Sequence, residues 1–111
     1  MARKHVDTCE VVNLFTLAEA EEAKGSIALV RTEAFEAIHV HLPAAKTIPP
    51  HRVEGPLIVQ CLSGEVDFSV EGTPHVLRAG DRMHLAGGAM HALEAREDTR
   101  ILVTLLFIRP A

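Results

Sequence analysis

Seven histidines fall within 111 residues, in a chain with no tryptophan or tyrosine. Imidazole can ligate a metal, act as a general base, or hold a small molecule by hydrogen bonds near neutral pH. Position decides among these uses. His51 follows the pair Pro49-Pro50, which forces an extended approach to it. His91 follows a glycine-rich turn, AGGAM, and opens the stretch HALEA. His41 alternates with Val40 and Leu42 and shares its face with Ala37 and His39. If that face looks inward, His41 joins an interior site; the opposite face, Ile38, Val40 and Leu42, is the more natural apolar lining.

The other candidates are weaker. Cys61 has the strand parity of Leu57 but lies four residues on, roughly 13 Å at about 3.3 Å per residue, too far to share a metal with a group at Leu57. Glu54 sits in the turn Glu54-Gly55-Pro56. Met83 and Leu85 are assigned inward, which turns His84 outward, and His75 is placed at the surface. No function follows from the sequence for His39, His75 or His84. Gly87-Gly88 lacks the lysine and helix of a phosphate loop.

These residues need elements to position them. From Ser26 onward the chain reads as short runs of alternating polarity: SIALVRT, AFEAIHVHL, LIVQCL, EVDFSV, HVLR, RMHL, HALEA and TRILVTLLFIRP. Ser63-Gly64, Glu71-Gly72 and Ala79-Gly80-Asp81 punctuate them as turns. Many short strands at regular spacing predict an all-β sandwich or barrel. Residues 1–25 are expected to form an arm or edge strand packed on a barrel of residues 26–111. One short helix is expected there, with Thr16 and Glu19 as its capping box, AEAEEAK behind them and Gly25 as the stop.

Two stretches carry a family resemblance. The first runs from Ala45 through His51, Val53 and Leu57 to Gly64; the second runs from Gly80 through Ala86, Gly88 and His91 to Ala95. They resemble, in spacing, the two signature motifs of the cupin superfamily, G-x(5)-H-x-H-x(3,4)-E-x(6)-G and G-x(5)-P-x-G-x(2)-H-x(3)-N. The resemblance covers roughly residues 45–107, and the chain looks most like small stand-alone cupins. It implies a small antiparallel jelly-roll barrel with at most one or two short helical turns. It also implies that His51 and His91 face one interior pocket. The family's metal is held by three histidines and a glutamate, and here Val53 and Leu57 stand at two of those four positions.

The expected function is therefore small-molecule binding inside the barrel, gripped by His51 and His91 and lined by Val53, Leu57 and Met83. The alternative is a metal-dependent enzyme, with a divalent transition metal on His51, His91 and a third ligand such as His41. A metal-free enzyme using one histidine as general base also fits the resemblance.

Composition narrows the partners. A formal charge of −4 gives no electrostatic case for nucleic acid or an anionic membrane. The N-terminus MARKHVDTCEVVN has no apolar segment of a secretory signal, and two cysteines suit a reducing cytoplasm. The longest apolar run, Ile101 to Ile108, is too short to span a bilayer. Two strands are apolar on both faces, leaving Ile58, Leu62, Leu102, Leu106 and Ile108 pointing outward. That pattern predicts a homodimer, unless residues 1–25 cover the patch within one chain.

Overall fold

In Leu57–Ser63 the side chains of Leu57, Val59 and Cys61 are buried and those between them are half-buried. That alternation, repeated along the chain, writes the fold. The structure is a computed structural model that describes residues 6–17 and 25–108. Nine strands are described: β1 (Ser26–Arg31), β2 (Phe35–Leu42), β3 (Thr47–His51), β4 (Leu57–Ser63), β5 (Glu65–Val70), β6 (Thr73–Arg78), β7 (Arg82–Leu85), β8 (His91–Ala95) and β9 (Thr99–Leu106). A five-stranded sheet has the order β1-β2-β9-β4-β7, and a four-stranded sheet the order β3-β8-β5-β6. Every pairing is antiparallel. The fold is the jelly roll implied by the family resemblance, with its two sheets facing each other rather than hydrogen-bonded into a closed cylinder.

The core lies between the sheets. Leu42, Leu57, Val59 and Ile101 from the larger sheet meet Val66, Phe68, Leu77 and Leu93 from the smaller. Fully burying side chains of this kind contributes about 1.5–3 kcal/mol each.

Tight turns hold the strands at this spacing. Gly64 has φ +84°, and a Cβ there would stand 2.3 Å from the Asp98 carbonyl oxygen. No side chain fits. Ala45 adopts the same left-handed conformation, φ 71°, without glycine's freedom.

Two sequence expectations change. The strand β3 contains both Pro49 and Pro50, which the sequence offers only as an extended lead-in. It is tolerated because β3 is an edge strand of the smaller sheet. The described helix, α1, spans Leu14–Leu17, earlier than the expected one. Its cap is Asn13, whose Oδ1 accepts from the backbone N–H of Phe15 at 2.8 Å and of Thr16 at 3.1 Å. The expected AEAEEAK helix lies at residues 18–24, outside the described residues.

The N-terminal segment packs on the outer face of the larger sheet. The Val6 N–H donates to the Leu29 carbonyl at 2.7 Å. Val6, Val12, Leu14 and Leu17 pack with Ile27, Leu29 and Leu102 in a second apolar cluster.

Candidate ligand site in the barrel interior

β3 and β8 pair with His51 directly opposite His91. The register makes this possible. From Ile48 to His51 is three residues, but from the partner Leu93 to His91 is two, so β3 carries a bulge. Strict alternation would put His51 on the face opposite Ile48; the extra residue reverses parity and brings both inward. The two imidazoles lie 4.2 Å apart between ring centroids, tilted by 60°. Phe68 stacks on His91 at 5.6 Å, with the rings 6° from parallel.

They face a cavity of about 230 Å3 between the sheets. Ile38 and Val40 of β2, Leu57 of β4, and Ile101, Val103 and Leu105 of β9 form one wall. Ile48, Phe68 and Leu93 form the other, with Val53 beside them. Among the described residues Ser26 is the one polar lining residue besides the histidines, and no charged side chain reaches the lining. His51 and Ser26 are exposed and stand at the mouth, while His91 is buried within.

Backbone carbonyls set the tautomers. His51 Nδ1 lies 3.1 Å from the Pro49 carbonyl and His91 Nδ1 3.1 Å from the Ala89 carbonyl. A carbonyl only accepts, so each Nδ1 is the N–H, and in the neutral ring each Nε2 carries a lone pair. Burial lowers the His91 pKa below the ordinary histidine value. The Ala89 hydrogen bond opposes this, and the neighbouring His51 adds to it.

The remaining candidates separate. Val53 and Leu57 line the cavity. Met83 does not: it lies on β7, the sheet edge away from β2, where it pairs with Val59 of β4 and packs against the core instead. His41 lies on the outer face of the sheet, because Ile38 and Val40 of its strand line the cavity and successive side chains alternate. There His41 Nε2 contacts Asp98 Oδ1 at 2.7 Å, and this bond leads the causes that hold the Asp98 carboxyl below its ordinary pKa. His41 cannot complete an interior site. Cys61 is buried core, its Sγ donating toward the Ser63 carbonyl at 3.5 Å, and burial pushes its thiol pKa up.

The family's four-ligand metal therefore does not fit these residues. Two donor positions are filled by the apolar Val53 and Leu57, and no group of three or more His, Cys, Asp or Glu side chains converges among the described residues. A dication there would lack neutralising charge.

One residue escaped the sequence reading. His39, beside His41 on the outer face, is fully buried, with neither ring nitrogen hydrogen-bonded. Its strand neighbours are Ile27 and Leu102, both in the cluster under the N-terminal segment. Only the alternation Ala37, His39, His41 marked its face, and nothing local signalled the cover above it.

The fold and the cavity define a two-sheet jelly-roll protein with an interior apolar pocket. The chain belongs to the cupin-domain family, whose model matches residues 38–108. No curated protein matches its sequence. A conserved protein of unknown function from Streptococcus pyogenes has a similar structure, with TM-score 0.81 at 21% identity over 95% of this chain and 93% of that one. A cupin superfamily protein from Desulfitobacterium hafniense gives TM-score 0.79 at 16% identity, over 97% and 99% of the two chains. A predicted oxalate decarboxylase from Thermotoga maritima gives TM-score 0.69 at 23% identity, over 75% and 79%. At these identities the likeness speaks to fold alone.

Proposed function

We propose that this cupin-domain protein binds a small molecule inside the barrel, held by His51 and His91. The observation that carries this reading is the paired imidazoles facing an otherwise apolar cavity of about 230 Å3. An engineered apolar cavity of about 150 Å3 admits benzene, so a substituted ring or a short branched chain fits here. Apolar walls supply affinity, and two polar groups supply orientation. Val53 and Leu57 belong to the walls.

The test is direct. Protein purified without a metal column or chelator is analysed for metals and, after denaturation, for released small molecules by mass spectrometry. The expected result is less than one metal per chain, with a discrete organic species that co-purifies with the native chain and is depleted in His51→Ala/His91→Ala. A stoichiometric transition metal that survives dialysis against chelator would overturn this reading in favour of metal chemistry.

We further propose that the protein acts in the cytoplasm. Cys9 and Cys61 are both free thiols, which suits a reducing compartment. Among the described residues no helix is long and apolar enough to cross a membrane.

A further inference from the structure

The geometry points to an uncharged, hydroxyl-bearing ligand with an apolar, ring-sized body, its O–H donated to the Nε2 lone pair of His51 or of His91. This rests on the pocket reading above and adds the chemical class.

Both Nδ1 atoms are committed to backbone carbonyls, at Pro49 and Ala89. Neither Nε2 has a hydrogen-bond partner among the described residues. Two neutral imidazoles fixed this way present two acceptors and no donor to the cavity. The ligand must therefore bring the proton. Burial of His91, which disfavours its protonated form, acts in the same direction.

Charge excludes the other head groups. Among the described residues no Lys or Arg lines the cavity, so a carboxylate or phosphate would meet lone pairs without a counter-ion. Among the described residues no Asp or Glu lines it either, so an ammonium could be solvated by imidazole but not neutralised. A hydroxyl donates one hydrogen bond and carries no charge. The aliphatic side chains of Ile38, Val40, Val103 and Leu105 then meet the body of the molecule.

Four probes share one body: 4-methylphenol, toluene, 4-methylbenzoate and 4-methylbenzylammonium. Each is titrated at pH 8 into the full chain after dialysis against chelator, and binding is read from side-chain methyl and imidazole NMR shifts. The phenol should bind more tightly than toluene by roughly two- to tenfold, the range one neutral hydrogen bond supplies, and more tightly than either ion. The double variant His51→Leu/His91→Leu should keep toluene binding and lose the preference for the phenol. Imidazole 15N shifts of the unliganded protein should show Nδ1–H and a bare Nε2 on both rings.

Benzoate or ammonium binding as well as the phenol overturns the ligand class while leaving the pocket reading intact. Equal affinity for phenol and toluene does the same, as does an Nε2–H tautomer on either ring. Failure of all four probes to bind overturns the pocket reading and this inference with it.

Discussion

His39 shows what a single residue costs when tertiary structure buries it. Both its nitrogens are desolvated without a partner, a loss of about 1–3 kcal/mol for an unsatisfied polar group. His39→Leu removes the polar atoms at similar size, and chemical denaturation should show a gain of about 1 kcal/mol at pH 7.5. Burial lowers the His39 pKa, and the charges of Arg100 and His41 lower it further. The unfolded chain therefore takes up a proton near the ordinary value of 6.5, before the folded chain does. Stability is full above that pH and falls as pH drops below it, by at most about 1.4 kcal/mol per pH unit for one group. His91 acts in the same direction. Thermal melts from pH 7.5 to 5 should show a declining midpoint, with a shallower decline in His39→Leu; parallel curves would remove His39 as a source. Ala45 offers a second residue-scale test. Its φ of 71° costs a non-glycine residue about 1–2 kcal/mol. Ala45→Gly should raise stability by about 0.5–1 kcal/mol in the same assay, after glycine's greater entropy in the unfolded chain is discounted.

At the scale of elements, β3 decides the site. Its prolines give up ladder hydrogen bonds, which an edge strand can lose. Its extra residue sets the parity of His51. Deleting Pro50 leaves His51 two residues from Ile48, so plain alternation should keep it opposite His91 and facing the cavity without a bulge. The measurement is the nuclear Overhauser effect between the His51 and His91 rings, expected in the wild-type chain from their 4.2 Å centroid separation and retained in the deletion. Loss of the effect would mean that the extra residue does more than offset the odd spacing between Ile48 and His51. The N-terminal segment has a comparable influence on β1, β2 and β9. It covers Leu102 and shields the cluster around Ile27 and Leu29, so the outer face of the larger sheet is partly closed by the chain itself.

The whole molecule still presents apolar surface beyond that cover. Ile58, Leu62 and Leu106 are half-buried on the outer face of the β4–β9 side, and Ile108 is 60% exposed. Phe107, beside it, packs under the Arg31 guanidinium at 5.6 Å and is 39% exposed. We propose that a second copy of this chain covers the part of the sheet that the N-terminal segment does not reach, in a two-fold dimer. Light scattering across a dilution series should give about twice the 12.1 kDa chain mass. Ile58→Glu/Leu106→Glu should lower it to that of one chain while preserving the β-sheet circular dichroism signal. A wild-type mass that stays at one chain through the concentrated range would exclude the dimer.

The strands were legible in the sequence because a sheet with one buried face imposes a period of two, and Gly64, Gly72 and Gly80 mark its turns. β7 and β8 run over the same residues as the stretches RMHL and HALEA. The spacing of the two histidine stretches carried the jelly roll and the shared pocket as a family resemblance, since neither alternation nor composition pairs residues forty positions apart. Tertiary structure alone decided the rest. His41 faces away from the pocket because β2 turns its apolar side inward, a choice between two faces that a single strand leaves open. Met83 has the inward parity but sits on an edge strand too far from β2 to reach the cavity. His51 depends on a bulge, and a bulge exists only relative to the partner strand. His39 is buried between Ile27 and Leu102, which pack against a segment more than twenty residues away in the chain. Facing, register and cover are relations between elements, so they are settled only when the sheets meet.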